Sequence, residues 1–199
     1  MVGLTKVVQI GVIAEEKNDV EVIYELTCKI IKEKNFAFKN FVGHGCGKVR
    51  RKCEAWGRAL LARGCSHIVI LHDLDKGDEK KLRAELEAQI RELNFEQKVV
   101  LISVEELEAW LLSDPDALKS VFNMQKSPRV RQTPEKISDP KEFLGNIIRK
   151  YSKSEYLNTI HNRRIAKALS IANLTRCPSF SPYPKFLKTI FPKTTSRVT

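Results

Sequence analysis

Ile68-Val69-Ile70-Leu71-His72-Asp73-Leu74-Asp75-Lys76-Gly77-Asp78 is an apolar run that stops abruptly in a cluster of acids. A short β-branched run bounded by turn residues predicts a strand buried on both faces of a parallel sheet. Side chains alternate along an extended chain. Asp73 and Asp75 are therefore expected to converge where the strand leaves the sheet, with His72 pointing away in a structural role. Open α/β sheets bind ligands outside the carboxyl ends of their strands, and two like charges there call for a compensating cation. A hard divalent ion such as Mg²⁺ takes oxygen ligands and few protein carboxylates. The competing reading is a solvated acidic turn.

At 199 residues with 42% apolar side chains, the chain suits one full-sized α/β domain with a small appendage. No segment approaches the roughly 18 apolar residues of a membrane span, and Met1-Val2-Gly3-Leu4-Thr5-Lys6 lacks the apolar core of a signal peptide. The expectation is a cytoplasmic protein with no membrane partner. Five cysteines without regular spacing form no disulfide framework. His44, Cys46 and Cys53 lack the paired spacing of a zinc site. The net charge of +11 favours a polyanionic partner, DNA or RNA. Basic residues gather outside the acidic motifs, in Lys48-Val49-Arg50-Arg51-Lys52, Arg129-Val130-Arg131 and His161-Asn162-Arg163-Arg164. Lys48, Arg50, Arg51, Arg163 and Arg164 are the candidate nucleic-acid contacts; the competing reading is a generic basic surface.

Other strands repeat the pattern. Val7 to Ala14 reads as a first buried strand ending in Glu15 and Glu16, followed by a helix with Asn18 as N-cap and Glu21 three residues on. Phe36 to Val42 reads as a second strand. Gly43-His44-Gly45-Cys46-Gly47-Lys48 after it is one residue short of a Walker A loop and lacks its Ser or Thr. That excludes nucleotide triphosphate binding and leaves phosphate contact by backbone amides or a plain turn. A helix over 49–63, a charged helix over 78–93 and a strand over 99–104 follow, the last running into Glu105, Glu106 and Glu108. Asp114-Pro115 reads as an N-cap with proline at the first helical position. Residues 127–140 read as a long connection, 141–151 and 155–172 as helices, and the tail from Arg176 as irregular apart from a short helix over 185–190.

Ala14-Glu15-Glu16-Lys17-Asn18-Asp19 and the later Asp73-Leu74-Asp75 resemble the toprim pattern: a strand followed by Glu-Gly and a later Asp, then a strand ending in Asp-x-Asp. Topoisomerases, bacterial primases and several nucleases share that fold. Glu16 stands where the pattern has glycine. More narrowly, Glu106-Leu107-Glu108-Ala109-Trp110-Leu111-Leu112-Ser113-Asp114, Asp139-Pro140-Lys141 and Cys177-Pro178-Ser179-Phe180 are similar to a family of short toprim-like proteins. Members are often encoded beside an AAA- or SMC-like ATPase in bacterial defence loci. The resemblance implies a toprim-like, Rossmann-like sheet over 1–126 with a helical extension over 127–199. It maps Glu15, Asp73 and Asp75 onto metal-binding, catalytic acids, with Mg²⁺ or Mn²⁺ as cofactor. Asp19 and either Glu106 or Glu108 are further ligands. Residues two apart on a helix do not face together, so one of that pair is expected to reach the site, and Glu106 is favoured.

The function implied is a metal-dependent nuclease hydrolysing phosphodiester bonds, with a neighbouring ATPase as partner in defence or repair. A topoisomerase would need a tyrosine on a further domain and a primase further template-handling modules, for which this length leaves no room. The alternative is a non-catalytic toprim-like module that holds nucleic acid or the ATPase. A dehalogenase-like phosphatase is set aside, because Gly77 sits where that motif needs Thr or Val and an earlier strand exists.

Overall fold

A computed structural model describes residues 7–31, 35–131 and 133–192. The two ends of the expected domain plan, residues 1–6 and 193–199, lie outside the described residues, as does the side chain of Cys46.

Four strands, β1 (Val8–Ala14), β2 (Phe36–Val42), β3 (His67–Asp73) and β4 (Gln97–Ser103), form one sheet in the order β2-β1-β3-β4. Every pairing is parallel, with Ile10 opposite His67 and Asp73 opposite Ser103. The chain is therefore α/β with a Rossmann-like architecture. The first connection leads from β1 outward to β2, and the next returns past β1 to β3. The order thus reverses between β1 and β3, and the crevice at their carboxyl ends is where such folds place ligands.

Buried strands need both faces covered. On one face Ile13, Ile68, Ile70 and Ile102 pack against α2 (Cys46–Ala62) and α3 (Glu79–Ile90) through Val49, Leu60, Leu82 and Leu86. On the other, Ile10, Val12, Val69, Leu71 and Leu101 meet α1 (Lys17–Ile30) and the C-terminal layer. That layer contains α4 (Glu108–Leu111), α5 (Pro115–Val121), α6 (Pro140–Ser152), α7 (Asn158–Ala168) and α8 (Pro182–Ile190). Trp110, Leu144, Ile165, Tyr183 and Leu187 share its core with the strands. Each such side chain contributes about 1.5–3 kcal/mol by leaving water. Their polar ends are satisfied: Trp110 Nε1 donates to Ser179 Oγ at 2.8 Å, and the Tyr183 hydroxyl bonds Thr27 Oγ1 on α1.

Several boundaries differ from expectation for local reasons. The first N-cap is Glu16, not Asn18, because Glu16 and Asp19 exchange reciprocal bonds in a capping box. The glycine-rich loop does not offer its first two amides to an anion: Gly43 and His44 donate to Ala14 O and Glu15 O at 2.9 and 2.8 Å. Helix α2 starts three residues early, behind Gly45 at φ +123°. In the tail, Pro182 and Pro184 fall in the first turn of α8, where a missing N–H removes no helical bond. A helix thus spans a stretch whose prolines suggest irregular chain.

Asp114, 4% exposed, caps α5 by accepting the N–H groups of Asp116 and Ala117, both at 3.1 Å. Its second oxygen accepts Ser170 N–H at 2.7 Å, tying the residues after α7 to α5. Asp114→Ala leaves three backbone donors, that of Ala117 buried, without this partner and is expected to lower stability by about 1–2 kcal/mol. Denaturant unfolding checks this, and a loss below half that value would show that the cap is dispensable.

Candidate functional site

The crevice between β1 and β3 holds acids from four elements. Glu15 follows β1 and is 9% exposed. Its Oε1 accepts the Asp73 N–H at 3.0 Å and lies 3.0 Å from His72 Nδ1. His72 Nδ1 is also 2.6 Å from the Asp73 carbonyl oxygen. A ring nitrogen facing two oxygens carries its proton there, so His72 serves the site by orienting Glu15. Asp73, at the end of β3, accepts the Ser103 hydroxyl from the end of β4. Asp19, in the first turn of α1 and 8% exposed, accepts Glu16 N–H at 2.8 Å. Glu108 opens α4 and is 4% exposed. Its Oε1 accepts from the Tyr156 hydroxyl at 2.9 Å and from Asn162 Nδ2 at 3.2 Å.

These acids feel one another. Burial pushes the Asp73 carboxyl well above its ordinary range, and the charges of Asp19, Glu15 and Glu108 add to the rise against the Ser103 bond. Burial likewise carries Asp19 from an ordinary 3.8 to about 7, with Glu108 and Glu15 adding to it and the Glu16 N–H opposing. Burial and the neighbouring carboxylates thus disfavour the charged forms of Asp19 and Asp73, which a cation would restore.

Asp75 does not follow Asp73 along an extended strand. The strand ends at Asp73 and the chain reverses, with Asp75 at φ +48° and Lys76 at φ +60°, so alternation stops. Asp75 N–H donates to Glu105 O at 3.2 Å and Lys76 N–H to Glu105 Oε2 at 3.1 Å, pinning this turn to the one after β4. Asp75 is exposed and, with Asp73, lines an open cleft of about 350 Å³ that Arg50 and Lys81 also line. Glu106 is elsewhere too: its Oε2 accepts Lys141 N–H at 2.8 Å in the first turn of α6, where Asp139 makes no side-chain cap. Burial raises the Glu106 carboxyl and the Lys141 bond lowers it. Of the two acids left open by spacing, Glu108 is the one among Asp19, Asp73 and Glu15.

The basic candidates divide. Arg50 lines the cleft but grips Glu85 with two bonds, Nε to Oε1 at 2.9 Å and Nη2 to Oε2 at 2.5 Å. Lys48 and Arg51 are exposed in the first turns of α2. Arg163 and Arg164 lie on α7 on the opposite face of the sheet; Arg164 is exposed, whereas Arg163 Nε bonds Glu25 Oε1 of α1 at 2.8 Å. The residues that sequence reasoning missed are Ser103, Tyr156 and Asn162. No periodicity marks them, because each acts through a contact distant along the chain.

Among the described residues no three His, Cys, Asp or Glu side chains are arranged to hold a metal ion; each acid is turned to a protein donor. The donors available are nonetheless all carboxylate oxygens, which suit Mg²⁺ or Mn²⁺, and their mutual repulsion is what a cation would relieve. Glu15, Asp73, Asp19 and Glu108 are the residues placed to take part after side-chain rotation.

The raised carboxyls set a sign for pH dependence. The folded chain holds the protons of Asp19 and Asp73 more tightly than the unfolded chain, so this stabilisation is complete below about 4 and is lost as pH rises, for Asp19 through about 7. Asp73→Asn keeps an oxygen for Ser103 and removes a charge. It is expected to raise the melting temperature by several degrees near pH 8 and to flatten the slope between pH 5 and 8. Thermal melts over that range check this, and an unchanged slope would show that Asp73 titrates as an ordinary acid.

A family model described as a domain of unknown function, DUF4276, covers residues 14–188, from the end of β1 into α8 without a break. No curated protein and no solved structure matches the chain. With nearly its whole length inside that match, the chain belongs to the DUF4276 family.

Proposed function

We propose that the protein is a Mg²⁺- or Mn²⁺-dependent nuclease of toprim type that hydrolyses phosphodiester bonds of DNA or RNA. The observation that carries this reading is the group of buried, mutually repelling carboxylates, Glu15, Asp19, Asp73 and Glu108, at the switch point of a parallel sheet. Perturbed acids in a crevice are the expected mark of a site. The cleft beside Asp73 is lined by Asp73, Asp75, Asp78 and Glu85 as well as by Arg50 and Lys81, so in this reading an anionic substrate enters it with a cation bound.

In this reading Glu15, Asp73, Asp19 and Glu108 hold the cation, and Asp75 joins from the cleft wall. A bound divalent ion would supply Lewis-acid activation of water and neutralise charge building on the phosphoryl oxygens. His72 keeps Glu15 oriented, Ser103 does the same for Asp73, and Tyr156 with Asn162 fixes Glu108. Lys81 meets the phosphate from α3. A partner ATPase would act on this centre from outside.

The alternative, a toprim-like module that binds nucleic acid or an ATPase without chemistry, draws support from the same acids, each of which is satisfied by a protein donor. One experiment separates the two: labelled single- and double-stranded DNA and RNA incubated with the protein in Mg²⁺, in Mn²⁺ and in EDTA, alongside Mn²⁺ titration by calorimetry. Cleavage is expected only with metal. Asp73→Asn and Glu15→Gln are expected to lower it by about a hundredfold or more and to weaken Mn²⁺ binding. Binding that persists in EDTA with no cleavage in either metal would establish the module. Cleavage surviving Asp73→Asn would place the chemistry elsewhere.

A further inference from the structure

Away from the acidic centre, Gln125, Lys126 and Arg129, which follow α5, and the end of α6 enclose an open cleft of about 550 Å³ lined by Gln125, Lys126, Arg129, Lys150 and Tyr151. It is larger than the cleft beside Asp73. Three of its five lining residues are cations and none is an acid. No ion pair among the described residues reaches Lys126, Arg129 or Lys150, whereas Arg50 and Arg163 are held by Glu85 and Glu25. Like charges around one concavity repel, so an anion entering it relieves that repulsion.

The aromatic residue narrows the class of anion. Tyr151 is half-buried against the core, which limits the freedom of its ring, and Lys150 Nζ stands 6.0 Å from the ring centroid. Single-stranded nucleic acid is bound by this combination: bases stack on aromatic faces while phosphates follow a row of cations. A small phosphate compound calls instead for an enclosed pocket with convergent donors. Here the cleft is open, and its charges come from two separate segments of chain. A duplex would offer no free base face to Tyr151. We propose that this cleft is a binding subsite for a single nucleic-acid strand, distinct from the acidic centre and independent of whether that centre is catalytic.

Fluorescence anisotropy with a labelled oligothymidylate of about 12 nucleotides, in EDTA so that no cleavage intervenes, tests this. The triple variant Lys126→Ala, Arg129→Ala, Lys150→Ala is expected to bind at least tenfold more weakly. Its slope of log affinity against log salt should flatten by about 2, the value for three phosphate contacts on a single strand. Tyr151→Ala is expected to weaken binding by about tenfold, with Tyr151→Phe retaining it. Lys185→Ala with Lys188→Ala, on α8, should leave affinity unchanged, and circular dichroism confirms folding of each variant. Undiminished affinity and salt slope in the triple variant overturn the proposal. So does tighter binding of a duplex that is indifferent to Tyr151→Ala. Binding is read in EDTA and through residues remote from the acidic centre, so failure of the nuclease reading is distinguishable from failure of this one.

Discussion

Four carboxylates share one poorly hydrated corner of this fold, and the rest of the molecule is arranged to tolerate them. Each acid is matched to a donor from a different part of the chain: Glu15 to His72 and the Asp73 amide, Asp73 to Ser103, Asp19 to the Glu16 amide, and Glu108 to Tyr156 and Asn162. A buried charge without such partners would cost several kcal/mol. The sheet therefore has to be in register, so that Ser103 sits opposite Asp73. The C-terminal layer has to be docked, so that α7 delivers Asn162 to Glu108. Acid centre and helical layer are one electrostatic unit as well as one hydrophobic core.

This dependence explains which parts of the structure were legible in the sequence. Strands β1, β3 and β4 announce themselves through β-branched runs, and their acidic ends follow directly, because buried parallel strands have few other ways to be written. Glu15 and Asp73 could be read that way, whereas Asp19, in the first turn of α1, entered through the resemblance to the toprim pattern. Asp75 could not be placed, because alternation holds only while the chain stays extended and Asp75 lies in a left-handed turn. The choice between Glu106 and Glu108 depended on residues far along the chain. Lys141 takes Glu106 for the start of α6, while Tyr156 and Asn162 take Glu108. His72 illustrates the same limit, since its ring swings back along the strand end to Glu15.

Charge was the least legible property. Density along the sequence singled out Arg50 and Arg163, yet each is engaged in an internal pair across helices, Arg50 with Glu85 and Arg163 with Glu25. Surface pairs of this kind contribute little to stability, but they decide which cations are available to a ligand. Arg129 belongs to a short basic run, but Lys126 and Lys150 do not, and the three come together only because α6 brings its last turn beside the residues that follow α5.

The carboxyl edge of the sheet bears a second cost besides its acids. His44, Asp75, Lys76 and Glu105, in the turns after β2, β3 and β4, all adopt left-handed backbone at φ between +48° and +60°. None is glycine, and non-glycine residues in this region store about 1 kcal/mol or more each. Neither cost is needed by the fold. Glycine would relieve the turns, and Asn or Ser would cap the same donors without repulsion. Strain and unfavourable charge fall together on one edge, the edge where parallel sheets bind ligands. Among the described residues the opposite edge of the sheet, with Gln9 O satisfied by the Ser66 amide and Ser66 O by the Glu96 amide, carries no comparable cluster of buried acids, and its left-handed residue, Gly64 at φ +83°, is a glycine.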